Sequence, residues 1–385
     1  MKLEGIRVID LSLFLPGPHL TMMMADHGAE VIKVEPPGEG EPVRHLGYRA
    51  GGESVWFRNT HRGKKSVVVD LKTAEGREAL LALAQTADVV VEAFRPGVVK
   101  RLGVDYEAVE ARNPRIVYAS IAAFGQSGPE RDRPTHDLGM EALAGVLSLN
   151  LGQDGKPTHP HIPIADATGS LMALAGILMA LYRREKTGRG DYIDISMHDT
   201  TMCWLPNNTG AVFAEGRPPV VKDERSWGGH SFYNVYQTSD AHHVVLSGVE
   251  DKFVHNLLTA LDREDLIPVA TQPPGPVHAP VKAFLAERFA TRTRAQWESW
   301  FAGRDVCFAP VLDLNEAFQQ PQVGARGMLI RDDDGNLHIG NPIKFRHEPP
   351  RIDTRLPKLG EHTQALLATR PPPVDRDGPP ARGPQ

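Results

Sequence analysis

The stretch 5-GIRVIDLSLFLPGPHLTMMMADHGAEVIKVE-35 decides the fold. "IRVIDL" and "EVIKVE" are short runs rich in β-branched residues, which predicts two strands. "PHLTMMMADHG" between them carries apolar residues at helical spacing and is closed by Gly28. Strand, helix and strand in that order form a βαβ unit, and such units build a parallel sheet. The alternation continues with a strand in "KSVVVDL", a helix over "AEGREALLALAQTA", a near-continuous apolar strand in "DVVVEAF" and another in "RIVYASIAAFG". Two helices beginning near His136 and Asp166 follow, then a strand in "YIDISMHD". Strands without a polar face are buried on both sides, so the first part of the chain, residues 1–205, is expected to be a large α/β domain.

Beyond residue 205 the texture changes. "SWGGHSFYNVYQTSDAHHVVLSG" reads as an antiparallel hairpin and "RAQWESWFAGRD" as a helix, giving a smaller α+β domain over 206–320. Residues 321–370 are expected to return to the large domain, and 371–385, rich in proline, glycine and charge, to form an extended tail.

With 385 residues, 41% of them hydrophobic, the chain can bury a full core. A net charge of −5 and a pI near 6.4 argue against a nucleic-acid or anionic-membrane partner. The apolar stretch "ADATGSLMALAGILMALY", Ala165 to Tyr182, falls short of a membrane span and reads as a buried helix. Cys203 and Cys307 are expected in the core, and "MKLEGIRVIDLSLF" alternates like a strand with no basic segment ahead of an apolar one, so the expected compartment is the cytoplasm.

Several chemistries lack their motifs. The first strand turns through "SLFLPGPH", with Gly17 between two prolines and no G-x-G-x-x-G, which argues against a nicotinamide dehydrogenase. There is no phosphate-loop, nucleophile-elbow or H-E-x-x-H pattern. The pairs His159 with His161 and His242 with His243 are spaced as metal ligands can be, but loop histidines are far commoner, and no metal is expected.

Two positions carry the chemistry that is left. Asp166 opens a long apolar helix, where it is either an N-cap or a carboxylate that the helix dipole keeps ionised for nucleophilic attack. In "RPTHDLGMEALAG", residues 133–145, His136 and Asp137 stand at the mouth of the preceding helix.

Segments along nearly the whole chain resemble the family III CoA-transferases: "GIRVIDLS…GP…MMMADHGAEVIKVEPPG", "RGKKSVVVDLKTAEGREAL", "ADVVVEAFRPGVVKRLGVDYEAVEARNPRIVYASIAAFGQSGP" and "ADATGSLMALAGILMALYRREKTGRGDYIDISMHD". The resemblance implies a Rossmann-like large domain with a small domain, in an interlocked homodimer. It also implies that Asp166 is a nucleophile that passes CoA from an acyl-CoA thioester to a carboxylic acid through covalent intermediates, with no bound cofactor. CoA contacts map onto Phe14, Leu71, Lys72, Phe94 and Arg101, with the basic run "HRGKK" adding to the field felt by the phosphates. Leu15, Pro36 and Ala93 replace residues that formyl-CoA transferases carry, which argues against formate or oxalate as a substrate.

The same motifs are similar to a sister branch, the α-methylacyl-CoA racemases. In that branch a histidine at the position of His136 and an aspartate at that of Asp166 act as opposed bases. Asp137 completes the first half of the branch's motif, and Glu250 falls where those enzymes carry a glutamate that orients the histidine. A methionine and aromatic set, Met22 to Met24, Trp204, Trp227 and Phe232, could line an acyl pocket, and Arg225 or His230 could meet a second carboxylate.

Overall fold

The computed structural model describes residues 1–152 and 154–368; the proline-rich tail expected over 371–385 lies outside them. The chain divides into two compact units. One holds residues 1–152, 156–204 and, from 322 on, the return segment; the other is built on Leu205–Pro321.

The first unit is a six-stranded parallel sheet. Its strands are β1 (Arg7–Asp10), β2 (Glu30–Glu35), β3 (Lys65–Val68), β4 (Val89–Glu92), β5 (Val117–Ala122) and β6 (Asp191–Ser196), in the spatial order β3-β2-β1-β4-β5-β6. Register is set by pairs such as Ile9 with Ile32 on one side of β1 and Ile9 with Val90 on the other. Successive side chains leave opposite faces. Val8, Val31, Val89 and Val91 pack with Leu20, Met23 and Met24 of helix α1 (Pro16–Asp26). Ile9, Ile32, Val67 and Val90 pack on the other face with Leu80, Leu81 and Leu83 of a second helix, Ala74–Ala84. Each such fully buried side chain contributes about 1.5–3 kcal/mol.

The further helices that bear on the site are, in chain order, α2 (Val55–His61), α3 (the helix Ala74–Ala84 just described), α4 (Val98–Leu102), α5 (Asp137–Leu143), α6 (Ile164–Thr187) and α7 (Met197–Cys203). Helix α6 buries Ala173, Leu174, Ile177 and Leu181 under the sheet and ends at Gly188, whose φ of 71° suits a residue without a side chain. It is not the fully buried helix expected from its composition. Its 24 residues are long and apolar enough to cross a membrane by length and composition alone. Leu171, Leu178, Met179 and Tyr182 stand bare along one stripe, the last two 69% and 67% exposed.

Below the C-terminal ends of β1 and β2 lies a knot of buried charge. Asp10 accepts hydrogen bonds from Ser12 N–H at 3.0 Å, Thr21 Oγ1 at 2.6 Å and Lys64 Nζ at 2.9 Å. Lys33 pairs with Glu41 at 3.0 Å, and Glu35 takes both Arg44 nitrogens at 2.7 and 2.8 Å. Arg62 pairs with Asp26 at 2.8 Å. The run "HRGKK" is therefore not a field for phosphates: His61, Arg62 and Lys64 are buried, and Lys65 pairs with Glu30. Burial works against charge on Asp10, but Lys33 and Lys64 hold its carboxyl well below the usual range.

The second unit has the expected hairpin, β7 (Tyr233–Gln237) with β8 (His243–Ser247), plus an unforeseen third strand, β9 (Phe308–Pro310), antiparallel to β8. Helices α8 (Asp251–Ala260), α9 (Ala279–Phe289) and α10 (Arg294–Phe301) supply its core, in which Phe289, Trp297 and Phe301 stack and Trp297 Nε1 donates to the Phe289 carbonyl at 2.9 Å. The cysteines are not core residues: Cys203, the last residue of α7, is exposed and Cys307, just before β9, is half-buried.

Removing one member of the buried knot strands its partners. Asp10→Ala leaves Lys33 and Lys64 without their shared carboxylate and is expected to cost about 3–5 kcal/mol. The urea midpoint of the variant measures this, and an unshifted midpoint would contradict it.

Candidate active site

The site is built where α5 meets the start of α6. The N-cap of α6 is Pro163, which has no side-chain acceptor, and Asp166 sits in the first turn, so the N-cap reading of Asp166 is corrected. The acceptors come from α5 instead. Asp137 Oδ1 accepts the Asp166 N–H at 3.1 Å, and Glu141 Oε1 accepts the Ile164 N–H at 3.2 Å. Three carboxyls thus converge on one helix start: Asp137 and Asp166, both singled out in the sequence, and Glu141, which was not.

Charge is less welcome here than the helix dipole alone suggests. Burial, then the neighbouring Asp137, push the Asp166 carboxyl up to about 7. The dipole supplies about 0.3–1 kcal/mol, roughly half a pH unit, and the desolvation of a half-buried carboxylate outweighs it. A carboxyl with this pKa is partly ionised at neutral pH and is more basic and more nucleophilic than an ordinary aspartate.

His136 is the N-cap residue of α5 but makes no side-chain cap bond; its carbonyl accepts Gly139 and Met140 N–H at 3.0 and 3.2 Å. Its ring is exposed and has no hydrogen bond among the described residues. Glu250 belongs to the second unit, where it precedes α8 with its side chain exposed.

The residues expected to hold CoA all follow the C-terminal ends of strands of the large sheet. Phe14 lies in the loop after β1, Leu71 and Lys72 after β3, Phe94 after β4, and Arg101 in the last turn of α4. The order of strands reverses between β1 and β4, so the loops of Phe14 and Phe94 flank the switch point where open α/β sheets take their ligands. Phe14 has φ 64° and is 40% exposed; its N–H donates to Glu41 Oε1 at 3.0 Å. Gly17 is needed at the same turn, since a Cβ there would stand 2.1 Å from Ser12 Oγ. Lys72 and Arg101 are exposed, as cations awaiting phosphate must be, while Leu71 and Phe94 are half-buried.

Met22 and Met23 line a mostly apolar cavity of about 240 Å³ with Leu15, His19 and Trp56. His19 Nδ1 is 3.2 Å from Ser170 Oγ, one turn along α6 from Asp166. The other members of the expected acyl set lie elsewhere: Met24 and Phe232 are core residues of separate units, and Trp204 is exposed. His230 is no receptor for a second carboxylate. Burial, then His278, whose ring is tilted at 46° with its centroid 4.2 Å away, lower its pKa to about 4 and disfavour the positive charge that a carboxylate would pair with. Arg225 is exposed in the second unit.

The large unit thus combines a parallel sheet with a topological switch point between β1 and β4 and a carboxyl of raised pKa at the start of a neighbouring helix. Comparison with known proteins names the family. The pattern of CoA-transferase family III matches residues 3–363, and the chain belongs to that family. It is 35% identical over 375 residues to the acetyl-CoA:oxalate CoA-transferase of Acetobacter aceti, covering 94% of each chain. It is also 34% identical to the human alpha-methylacyl-CoA racemase, covering 95% of this chain and 93% of that one. Among solved structures, a CAIB/BAIF family protein from Brucella suis superposes with a TM-score of 0.84 at 31% identity, over 95% of this chain and 98% of the other.

Because the folded pKa of Asp166 is raised, the native state keeps a proton that the unfolded chain loses between about pH 4 and pH 7, so this group lowers stability as pH rises through that window. Asp166→Asn is therefore expected to be more stable than the wild type above neutrality, by up to roughly 4 kcal/mol, and to converge with it below about pH 4. Denaturant midpoints at the two pH values test this, and parallel pH dependence of the two proteins would remove the assignment.

Proposed function

We propose that the protein is an acyl-CoA:carboxylate CoA-transferase with Asp166 as nucleophile. The observation that carries the reading is the Asp166 carboxyl itself: half-buried, with its own amide anchored on Asp137 and its pKa near neutrality. Ionised Asp166 attacks the thioester carbonyl; the C–S bond breaks and CoA leaves as thiolate, giving a mixed anhydride. The thiolate attacks the aspartyl carbonyl, the donor acid departs as carboxylate, and an aspartyl-CoA thioester remains. The acceptor carboxylate then attacks this thioester, and the returning thiolate takes the acceptor's acyl carbon, freeing Asp166. Phe14, Leu71, Lys72, Phe94 and Arg101 hold the CoA moiety, the two cations pairing with its phosphates.

The second reading is a 2-methylacyl-CoA racemase. It is favoured by the His136–Asp137 pair at the start of α5, as its N-cap and first residue, and by the relationship to the human racemase. Here His136 and Asp166 would exchange the α-proton on opposite faces of the substrate, with Glu250 orienting the histidine.

Incubation with single-enantiomer 2-methylacyl-CoA in D₂O, without an acceptor acid, separates the two. The transferase reading expects no deuterium at the α-carbon, and CoA exchange once a free acid is added. Succinate and glutarate are the first acids to try, since relatives at 33% and 30% identity are named for them; oxalate, against which Leu15, Pro36 and Ala93 argue, is included because a relative at 35% identity is named for it. Asp166→Ala is expected to lose exchange by at least about 10³-fold, and hydroxylamine to trap the wild-type aspartyl thioester. Deuterium uptake that disappears in His136→Ala would replace this reading with the racemase. Exchange undiminished in Asp166→Ala would end both.

The enzyme is further read as a cytoplasmic homodimer, in keeping with two unpaired cysteines and with the bare apolar stripe on α6, which a second copy would cover. Met179→Arg with Tyr182→Glu is expected to shift the protein toward monomer in sedimentation velocity, and an unchanged sedimentation coefficient would count against that use of the stripe.

A further inference from the structure

Glu141 follows Asp137 by one turn of α5, which places the two carboxyls on one side of the helix. Both serve the start of α6, through the Ile164 and Asp166 amides. Glu141 is only 1% exposed, and its second oxygen, Oε2, has no donor among the described residues. The group beside Glu141 is the Asp137 carboxyl, one turn back on α5 and accepting from an amide two residues away on the same helix start. Two carboxyls set side by side can bond to each other only if one of them carries a proton, because ionised carboxylates have acceptors alone. The more deeply buried partner is the one that keeps it. Burial first, then the contact with Asp137, push Glu141 up to about 7.

We propose that Glu141 is a positioning residue that keeps a proton between itself and Asp137, so that Asp137 stays on the Asp166 amide and the reactive negative charge is left to Asp166. This rests on the reading of Asp166 as the reacting carboxylate. The charged groups on the helices packed against α5 are Asp166, at this end of α6, and His198 and Asp199 on α7; the short helix Val146–Leu149 carries none. Once the shared proton is lost, two adjacent anions on α5 repel each other, and Asp137 loses the partner that steadies it. Glutamine separates this role from simple packing. Its carbonyl accepts from Ile164 and its NH₂ donates to Asp137 at every pH.

The test compares the pH dependence of kcat/KM for the wild type, Glu141→Gln and Glu141→Leu. CoA exchange is followed, or α-proton exchange should that be the activity found, since both need ionised Asp166. The wild type is expected to rise with pH as Asp166 ionises and to fall on the alkaline side as the shared proton leaves. Glu141→Gln should keep the rise, lose the fall and stay within about threefold of wild type at neutrality. Glu141→Leu should lose about 10²-fold through misplacement of Asp137 and Asp166. Infrared difference spectra between the resting proteins give a readout without turnover: Asp166 and Glu92 contribute carboxylic-acid C=O bands just below neutrality in both, and one further such band is present in the wild type and absent from Glu141→Gln. The same alkaline fall in Glu141→Gln as in the wild type, or no difference band, would overturn the proposal. Turnover that survives Asp166→Asn would instead defeat the reading of the site, while the infrared band still judges the shared proton.

Discussion

The start of helix α6 has no cap of its own. A helix of 24 residues leaves its first N–H groups unpaired, and Pro163 has no side-chain oxygen to offer them. The fold meets this with Asp137 and Glu141, reaching across from α5. This borrowed cap fixes α5 on α6 and delivers Asp166 with its main chain immobilised. It also crowds a third carboxyl against two others in a place largely shut off from water. Raising an aspartate from 3.8 to about 7 corresponds to roughly 4 kcal/mol of differential solvation and repulsion, several times what the helix dipole returns. The arrangement stabilises the helix junction and leaves its carboxylate only partly ionised at neutral pH.

The other half of the site depends on the buried charge knot. Asp10, Lys33, Lys64 and Glu41 are completely sequestered, and a buried ion pair contributes little net stability over a well-packed apolar core. What the knot supplies is geometry. Asp10 holds Ser12, Glu41 holds the Phe14 amide, and Gly17 lets the turn fold back against Ser12, so the loop after β1 has one course past the switch point. A ligand meeting this loop meets a preformed surface, which lowers the ordering cost of binding. Both halves place fixed polar groups in the unit that contains the large sheet, one anchored by the partly exposed Asp137 with the buried Glu141, the other by side chains sequestered from solvent.

The central strands of the large sheet were legible because runs such as Val89–Val91 and Val117–Ala122 are nearly all apolar and lack a polar face, a pattern that suits a doubly covered sheet. Asp166 and Asp137 were legible through resemblance, and their convergence through neither composition nor spacing, since 29 residues separate them. Glu141 could have been found: an acid one turn after Asp137 on an apolar helix is a buried acid, and a buried acid needs a partner. The basic run at 61–65 misled because local charge density says nothing of burial; its partners Asp10, Asp26 and Glu30 come from strands and a helix 35 to 54 residues earlier. The stripe on α6 misled for the opposite reason. An apolar helix in a single sequence carries no mark of whether its second face meets the same chain or another.

Transferase and racemase chemistry ask the same thing of Asp166, a carboxylate basic enough to act and still ionised in part at neutral pH. The branch is decided by what faces it. A histidine working as a base needs its ring held in one tautomer and one orientation, by a partner on the other nitrogen. Within the unit that carries the site, Asp166 has its amide fixed, its pKa tuned and its neighbours in contact with each other, whereas the His136 ring is exposed and unbonded among the described residues. A group left to rotate in solvent loses much of the advantage that positioning gives to catalysis, which for well-oriented groups reaches about 7–11 kcal/mol. Preorganisation therefore lies with the carboxylate alone, and this is the asymmetry that weighs the site toward nucleophilic transfer.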